Sequence, residues 1–268
     1  MTVLDRIVTD VKNSLERHKR LTSVHELEAA IRTARPVRDF ESALAGPELA
    51  VIAEIKRRSP SKGLLRDPFD VQALAQDYTA AGANAISVLT EEDHFGGALS
   101  HLALAAAHSS CPLLRKDFII DPYQLYQARV YEADAVLLIA AILEASQLKD
   151  LLSLAAELKL ACLVEVYDPI ELDKVDFDQV SILGVNNRDL HTFEVDIDHS
   201  LKVFELVGSE VIKVSESGLR SPADLAYLHR CGVDAVLIGE TFMRAENPGV
   251  ALRSLREKTA TIGTSHTS

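Results

Sequence analysis

A glutamate and a lysine two residues apart stand near the end of the apolar run Val51-Ile52-Ala53-Glu54-Ile55-Lys56. In a β-strand, residues two apart share a face, so the Glu54 carboxylate and the Lys56 ammonium project together while Ala53 and Ile55 face the other way. Arg57, Arg58, Lys62 and Arg66 follow, with Ser59, Ser61 and Gly63 between them. Positive charge, hydroxyls and unhindered backbone suit a phosphate or a carboxylate. Taken alone, the stretch also reads as a surface ion pair followed by a solvated basic turn.

The same residue types recur where other apolar runs end. They are found in Leu113-Leu114-Arg115-Lys116-Asp117-Phe118, Cys162-Leu163-Val164-Glu165, Gly184-Val185-Asn186-Asn187-Arg188-Asp189, Ser215-Glu216-Ser217-Gly218 and Ile238-Gly239-Glu240-Thr241. Lysine, glutamate and asparagine can serve as acid, base and hydrogen-bond donor. Gly218 and Gly239 would let backbone N–H groups approach an anion. Each residue has a structural alternative: Glu165 as a core carboxylate paired with a lysine, or Lys116 paired with Asp117 or Glu91. Burying so many charges together without function would be costly, which favours a common site. Phe95 and Phe118 could wall a flat ring or could be ordinary packing residues.

Such residues need a scaffold that brings many strand ends together. Short apolar runs at 50–55, 85–89, 113–116, 135–140, 160–166, 180–186, 211–215 and 234–238 read as eight strands. Helical patterns lie between them near 69–81, 98–109, 122–132, 144–158, 168–176, 197–206 and 221–231, with a last one near 245–258. This alternation predicts parallel strands joined by right-handed crossovers. Gly82-Ala-Asn-Ala-Ile, Glu132-Ala-Asp-Ala-Val and Gly232-Val-Asp-Ala-Val each close a helix and open a strand, a weak internal repeat. The expected fold is a single (β/α)8 TIM barrel of the α/β class, with chemistry at the C-terminal ends of the strands. A doubly wound open sheet is the alternative, but it would carry a Gly-rich first turn that is missing after residue 55.

Helical spacing over 2–17, 24–34 and 39–46 predicts an N-terminal helical extension, residues 1–47, packed on one end of the barrel. The barrel is assigned to 48–258 and a disordered tail to 259–268. The net charge of −12 argues against a nucleic-acid or membrane-surface partner and makes the basic stretch a local focus for a small anion. Neither a signal peptide nor a membrane-length apolar stretch is legible, so the expected location is cytoplasmic. Cys111, Cys162 and Cys231 have no metal-ligand spacing and are expected to be buried, reduced thiols.

With these motifs assembled, the chain resembles the indole-3-glycerol-phosphate synthase family of the tryptophan pathway. The resemblance rests on Ile-Ala-Glu-Ile-Lys-Arg-Arg-Ser-Pro-Ser at 52–61, Leu-Arg-Lys-Asp-Phe at 114–118, Leu-Val-Glu-Val at 163–166, Gly-Val-Asn-Asn-Arg-Asp-Leu at 184–190 and Ser-Glu-Ser-Gly-Leu at 215–219, in the family's order. It implies conversion of 1-(2-carboxyphenylamino)-1-deoxyribulose 5-phosphate to indole-3-glycerol phosphate, with loss of CO₂ and water and without metal or organic cofactor. By that resemblance Lys116 is the general acid of ring closure and Glu165 the base of dehydration. Lys56 binds substrate and acts as an acid in dehydration, with Glu54 keeping it oriented and charged. Asn186, Glu216 and Ser217 hydrogen-bond hydroxyls or carboxylate, and Arg188 belongs to the same pocket. Ser59, Gly218, Gly239 and the Glu240 amide match the phosphate site, while Phe95, Phe118 and Leu137 match the wall around the anthranilate ring. Glu240 departs from relatives with a small hydroxylic residue there, so only its N–H, or Thr241, could serve the phosphate. A monomer or weak homo-oligomer is expected, acting on a phosphorylated small molecule. A Schiff-base lyase using Lys56 or Lys116, and a phosphosugar-binding barrel without turnover, are the competing readings.

Overall fold

The computed structural model describes residues 2–264 apart from 190, 191 and 193. Three helices come first: α1 (Val3–Leu21), α2 (Val24–Ile31) and α3 (Phe40–Leu44). Then follow β1 (Ala50–Ile55), β2 (Arg58–Ser59), β3 (Gly63–Leu64), α4 (Val71–Ala80), β4 (Ala85–Leu89), α5 (Leu99–His108), β5 (Leu113–Lys116), α6 (Pro122–Val130) and β6 (Ala135–Ile139). The second half comprises α7 (Ala145–Glu157), β7 (Ala161–Val166), β8 (Ile182–Asn186), α8 (Asp198–Phe204), β9 (Ile212–Glu216), α9 (Pro222–Arg230), β10 (Ala235–Ile238), α10 (Glu240–Met243) and α11 (Pro248–Thr264).

Eight parallel strands close into a barrel in the order β1-β10-β9-β8-β7-β6-β5-β4. Alternation decides what each strand contributes. Ile52, Ala85, Leu114, Leu163, Ile182, Val214 and Leu237 fill the interior, while Val51, Ile86, Val136, Val164 and Val236 pack outward beneath the helices. Helix starts follow their caps: Thr2 with Asp5, Ser23 with Glu26, Asp121 with Gln124 and Ser221 with Asp224 each form a reciprocal capping box.

The extension covers both ends of the barrel rather than one. At the N-terminal end Phe40 and Leu44 of α3 are each 1% exposed and join the interior cluster as a plug. The segment leading to them is tied down by Asp134, which accepts from Arg35 at 2.7 and 2.8 Å, from Arg38 N at 2.7 Å and from Leu113 N at 2.8 Å. At the opposite end the first turns of α1 bring Val3, Leu4 and Ile7 to the mouth. There His94 Nε2 and Asp10 lie 2.8 Å apart, and Lys19 donates to Asp121 at 2.8 Å.

Several local expectations are corrected. The basic stretch after β1 is a small antiparallel hairpin, with Arg58 paired to Leu64 and Ser59 to Gly63, whose φ of 66° a glycine adopts freely. Residues 169–174 form a 3₁₀ segment rather than an α-helix. The last helix starts at Pro248 and runs to Thr264, so the segment from 259 to 264, assigned to a disordered tail, is helical. Residues 265–268 and Leu190 of the motif at 184–190 lie outside the described residues. Cys231 is exposed, not buried, because it caps the end of α9.

Candidate active site

The residues that the family resemblance assigns to a site all reach one cavity of about 660 Å³ at the C-terminal ends of the strands, whereas Arg57, Arg58 and Arg66 of the basic stretch do not line it, Arg66 donating instead to Met243 O and Ala245 O. Glu54, Lys56, Lys116, Glu165, Asn186 and Glu216 form its floor; Ser59, Phe95, Phe118, Leu137, Arg188, Ser217, Gly218, Gly239 and Glu240 line its sides. The strand pleat explains the selection, since Glu54 and Lys56 continue the inward face of Ile52, Lys116 that of Leu114, Glu165 that of Leu163, and Glu216 that of Val214.

Lys116 is the electrostatic centre. Its Nζ donates to Glu216 Oε2 at 2.6 Å and to Glu165 Oε2 at 3.2 Å. Burial works against the ammonium, but Glu216, Glu165 and Glu54 outweigh it and raise its pKa, so the charge is held. Burial lifts the Glu216 carboxyl to about 8, with Lys116 pulling the other way. Glu216 Oε1 is buried without a hydrogen-bond partner among the described residues. Beside this cluster Lys56 donates to Glu54 Oε2, and Asn186 Nδ2 reaches Glu165 Oε1 at 3.4 Å. Lys116 thus pairs with Glu216 and Glu165 rather than with Asp117, which takes the buried Arg115 at 2.9 Å.

Two further sides complete the cavity. The rings of Phe95 and Phe118 lie 6.0 Å apart across the mouth. Glu91, buried next to Asp117, accepts from the backbone of His94 at 2.8 Å and of Phe95 at 3.0 Å and so fixes that wall. Opposite it, Ser217 and Gly218 have φ of 70° and 82°, successive left-handed residues that turn the backbone after β9. Gly239 caps the start of the short helix α10, and the Thr241 hydroxyl donates to Leu219 O at 2.7 Å. The Glu240 carboxylate is balanced by Arg244 at 3.1 Å and Arg188 at 3.6 Å.

Arg244, Arg220 and the α1 residues Val3, Leu4 and Ile7 also line the cavity and were missed from the sequence. Arg244 sits four residues after Glu240, a helical spacing that a reading of 239–241 as loop conceals. No local signal marks the α1 residues, which look like any apolar helix stripe.

A family model described as Indole-3-glycerol phosphate synthase matches residues 4–255. A protein of Salinibacter ruber named indole-3-glycerol phosphate synthase is 54% identical over 258 residues, covering 96% of each chain. One of the same name from Dehalococcoides mccartyi strain CBDB1 is 45% identical over 257 residues, covering 94% of this chain and 99% of the relative. Among solved structures, the tryptophan synthase alpha subunit of Legionella pneumophila superposes with TM-score 0.61 at 12% identity over 83% of this chain and 98% of its own. A thiamine phosphate pyrophosphorylase from Pyrococcus furiosus gives 0.58 at 17% identity over 84% and 99%. Those two likenesses are of fold alone.

Proposed function

The chain belongs to the indole-3-glycerol phosphate synthase family, decarboxylating lyases (EC 4.1.1.48) of tryptophan biosynthesis that act on a phosphorylated small molecule, and from that premise we propose how its own residues divide the work. The substrate, 1-(2-carboxyphenylamino)-1-deoxyribulose 5-phosphate, is closed to a ring, decarboxylated and dehydrated. The observation that carries the assignment is the Lys116 ammonium between two buried carboxylates, with a second Lys–Glu pair beside it.

The phosphate is assigned to the backbone at Ser217, Gly218, Gly239 and Glu240, closed over by Ser59. The turn after β9 and the start of α10 are where barrels commonly hold phosphate. The anthranilate ring is assigned to the gap among Phe95, Phe118 and Leu137. Between these anchors the ribulose carbonyl lies over the charged floor, and Lys116 gives its proton to the carbonyl oxygen as the ring carbon bearing the carboxylate attacks. Loss of CO₂ from that carbon returns its bonding electrons to the ring system. Dehydration then needs a proton on the departing hydroxyl, supplied by Lys56, and loss of a proton from the CH₂ carbon next to nitrogen, taken by Glu165 oriented by Asn186, so that the ring double bond forms and the N–H is kept. Two protons given and one taken leave a net uptake of one, as conversion of a carboxylate to neutral CO₂ requires.

The raised pKa of Glu216 helps the acid step. A lysine gripped by two carboxylates is a weak acid, and a proton on Glu216 near neutrality relaxes that grip. Arg188 and Glu216 also supply hydrogen bonds to substrate hydroxyls. A cytoplasmic monomer or weak homo-oligomer is the proposed setting, supported by the biosynthetic family; no helix among the described residues is long and apolar enough to cross a membrane.

Indole fluorescence on mixing the protein with the substrate, without added metal, tests the reading against a background free of Trp. A rise that Lys116→Ala and Glu165→Gln abolish is expected. Binding without any rise in the wild-type protein would overturn it.

A further inference from the structure

Gly184 stands in the middle of β8, where a glycine weakens a strand because it loses more entropy on folding and packs no side chain. Its backbone does not call for glycine, since its φ lies outside the left-handed region. It continues the inward face of Ile182, pairs in register with Glu165 of β7 and Val214 of β9, and is followed on the same face by Asn186, opposite Glu216. The reason for the missing side chain is therefore steric. A Cβ at 184 would overlap Glu216 Oε1 and would stand 3.1 Å from Leu163 Cδ1. The Glu216 carboxylate occupies the space that any other residue would fill, and from there its second oxygen meets Lys116 at 2.6 Å.

We propose that Gly184 is a positioning residue for the reaction: its bare α-carbon holds open the seat from which Glu216 engages Lys116. The inference rests on the assignment of Lys116 and Glu216 given above. The same device appears on the other side of the floor, where a Cβ at Gly239 would overlap the Glu54 carboxylate that carries Lys56. Two carboxylates that face lysines are thus each backed by a glycine. Glu216 Oε1 is buried there, with Leu163 also against the Gly184 position, and burial is the main cause of the upward push on the Glu216 pKa.

An alanine at 184 meets the far end of a side chain rather than backbone, so the carboxylate is displaced before the strand is. A misplacement of ~1 Å in a catalytic group lowers turnover by roughly a hundredfold. Gly184→Ala is expected to fold, with a wild-type circular dichroism spectrum, to keep KM within about threefold and to lose about a hundredfold in kcat. Glu216→Asp, shorter by one methylene, withdraws the carboxylate from the contested space. The double variant Gly184→Ala/Glu216→Asp is therefore expected to turn over faster than Gly184→Ala, although Glu216→Asp alone is slower than wild type. Wild-type kcat in Gly184→Ala, or a double variant no faster than the alanine variant, overturns the proposal. If the alanine variant does not fold, a folded double variant with the turnover of Glu216→Asp supports the proposal, and an unfolded one overturns it. Wild-type turnover in the same assay tests the reaction itself. A crystal structure of Gly184→Ala, or of the double variant where the single does not fold, tests the seat apart from turnover: a displaced residue-216 carboxylate supports the proposal and an unmoved one overturns it.

Discussion

Lys116 Nζ lies 2.6 Å from Glu216 Oε2, although the two residues are 100 positions apart in the chain. The contact joins β5 to β9 across the inside of the barrel, and with Glu165 at 3.2 Å it leaves the ammonium with two carboxylates. Removing the ammonium takes away the proposed acid and sets two buried carboxylates against each other. Lys116→Ala is expected to fold, to retain substrate and to lose about 10²–10⁴ in the rate of ring closure. Single-turnover indole fluorescence checks this; a wild-type rate would reassign the acid.

The sign of the pH dependence follows from Glu216. Burial raises its carboxyl from 4.5 to about 8, so between those values the folded chain holds a proton that the unfolded chain has released. Stability contributed by that proton is complete below the unfolded value and declines as pH rises toward the folded one. Glu216→Gln has no such proton to lose. Its stability relative to wild type should improve between pH 5 and 8, measured by urea unfolding at each pH, and an unchanged difference would place the proton on another group.

The plug at the barrel's lower end separates two truncations. Removing residues 2–21 takes away α1 with its contribution to the mouth, and should raise KM by about tenfold, equivalent to about 1.4 kcal/mol of lost contact. Removing residues 2–45 also takes away Phe40 and Leu44, each 1% exposed. Burial of that size is worth several kcal/mol, about 3–5 for a core phenylalanine alone. The longer deletion should therefore melt far lower, by calorimetry, and equal melting temperatures would show that the plug contributes little.

Asp134, 0% exposed, gathers Arg35 and the backbone N–H groups of Arg38 and Leu113. Asp134→Ala takes the buried carboxylate from the Arg35 guanidinium, which keeps only Pro36 O, Glu132 O and the Glu132 carboxylate at 3.7 Å, and removes the acceptor of two backbone amides. Breaking one side of a buried pair costs about 3–5 kcal/mol, so the unfolding midpoint should fall strongly while kcat of the folded enzyme stays unchanged, since the residue is at the opposite end from the cavity.

Thiol reactivity should separate the cysteines. Cys231 is exposed, Cys111 is buried, and burial pushes the Cys162 thiol up to about 12. Ellman's reagent at pH 8 should titrate one thiol in the native chain and all three after unfolding. Rapid reaction of Cys162 would mean that β7 opens.

The sequence by itself determined the eight strands and which of their residues share a face, because period-two alternation and short apolar runs are local properties of the chain. It also determined the floor of the cavity. Each charged residue sits at the end of an apolar run, and a closed parallel barrel necessarily brings all such ends to one rim, so Glu54, Lys116, Glu165 and Glu216 were legible before any contact was known. Tertiary structure alone decided which charge meets which. Lys116 had Asp117 as its nearest carboxylate in sequence, yet Asp117 takes Arg115 while the pleat turns Lys116 inward to Glu216. It also decided that the leader serves both ends of the barrel, since Phe40 and Val3 look alike as apolar helix residues until packing assigns one to the plug and the other to the mouth. The role of Gly184 was hidden for the same reason: an empty α-carbon is informative only when the side chain that fills the space comes from another strand.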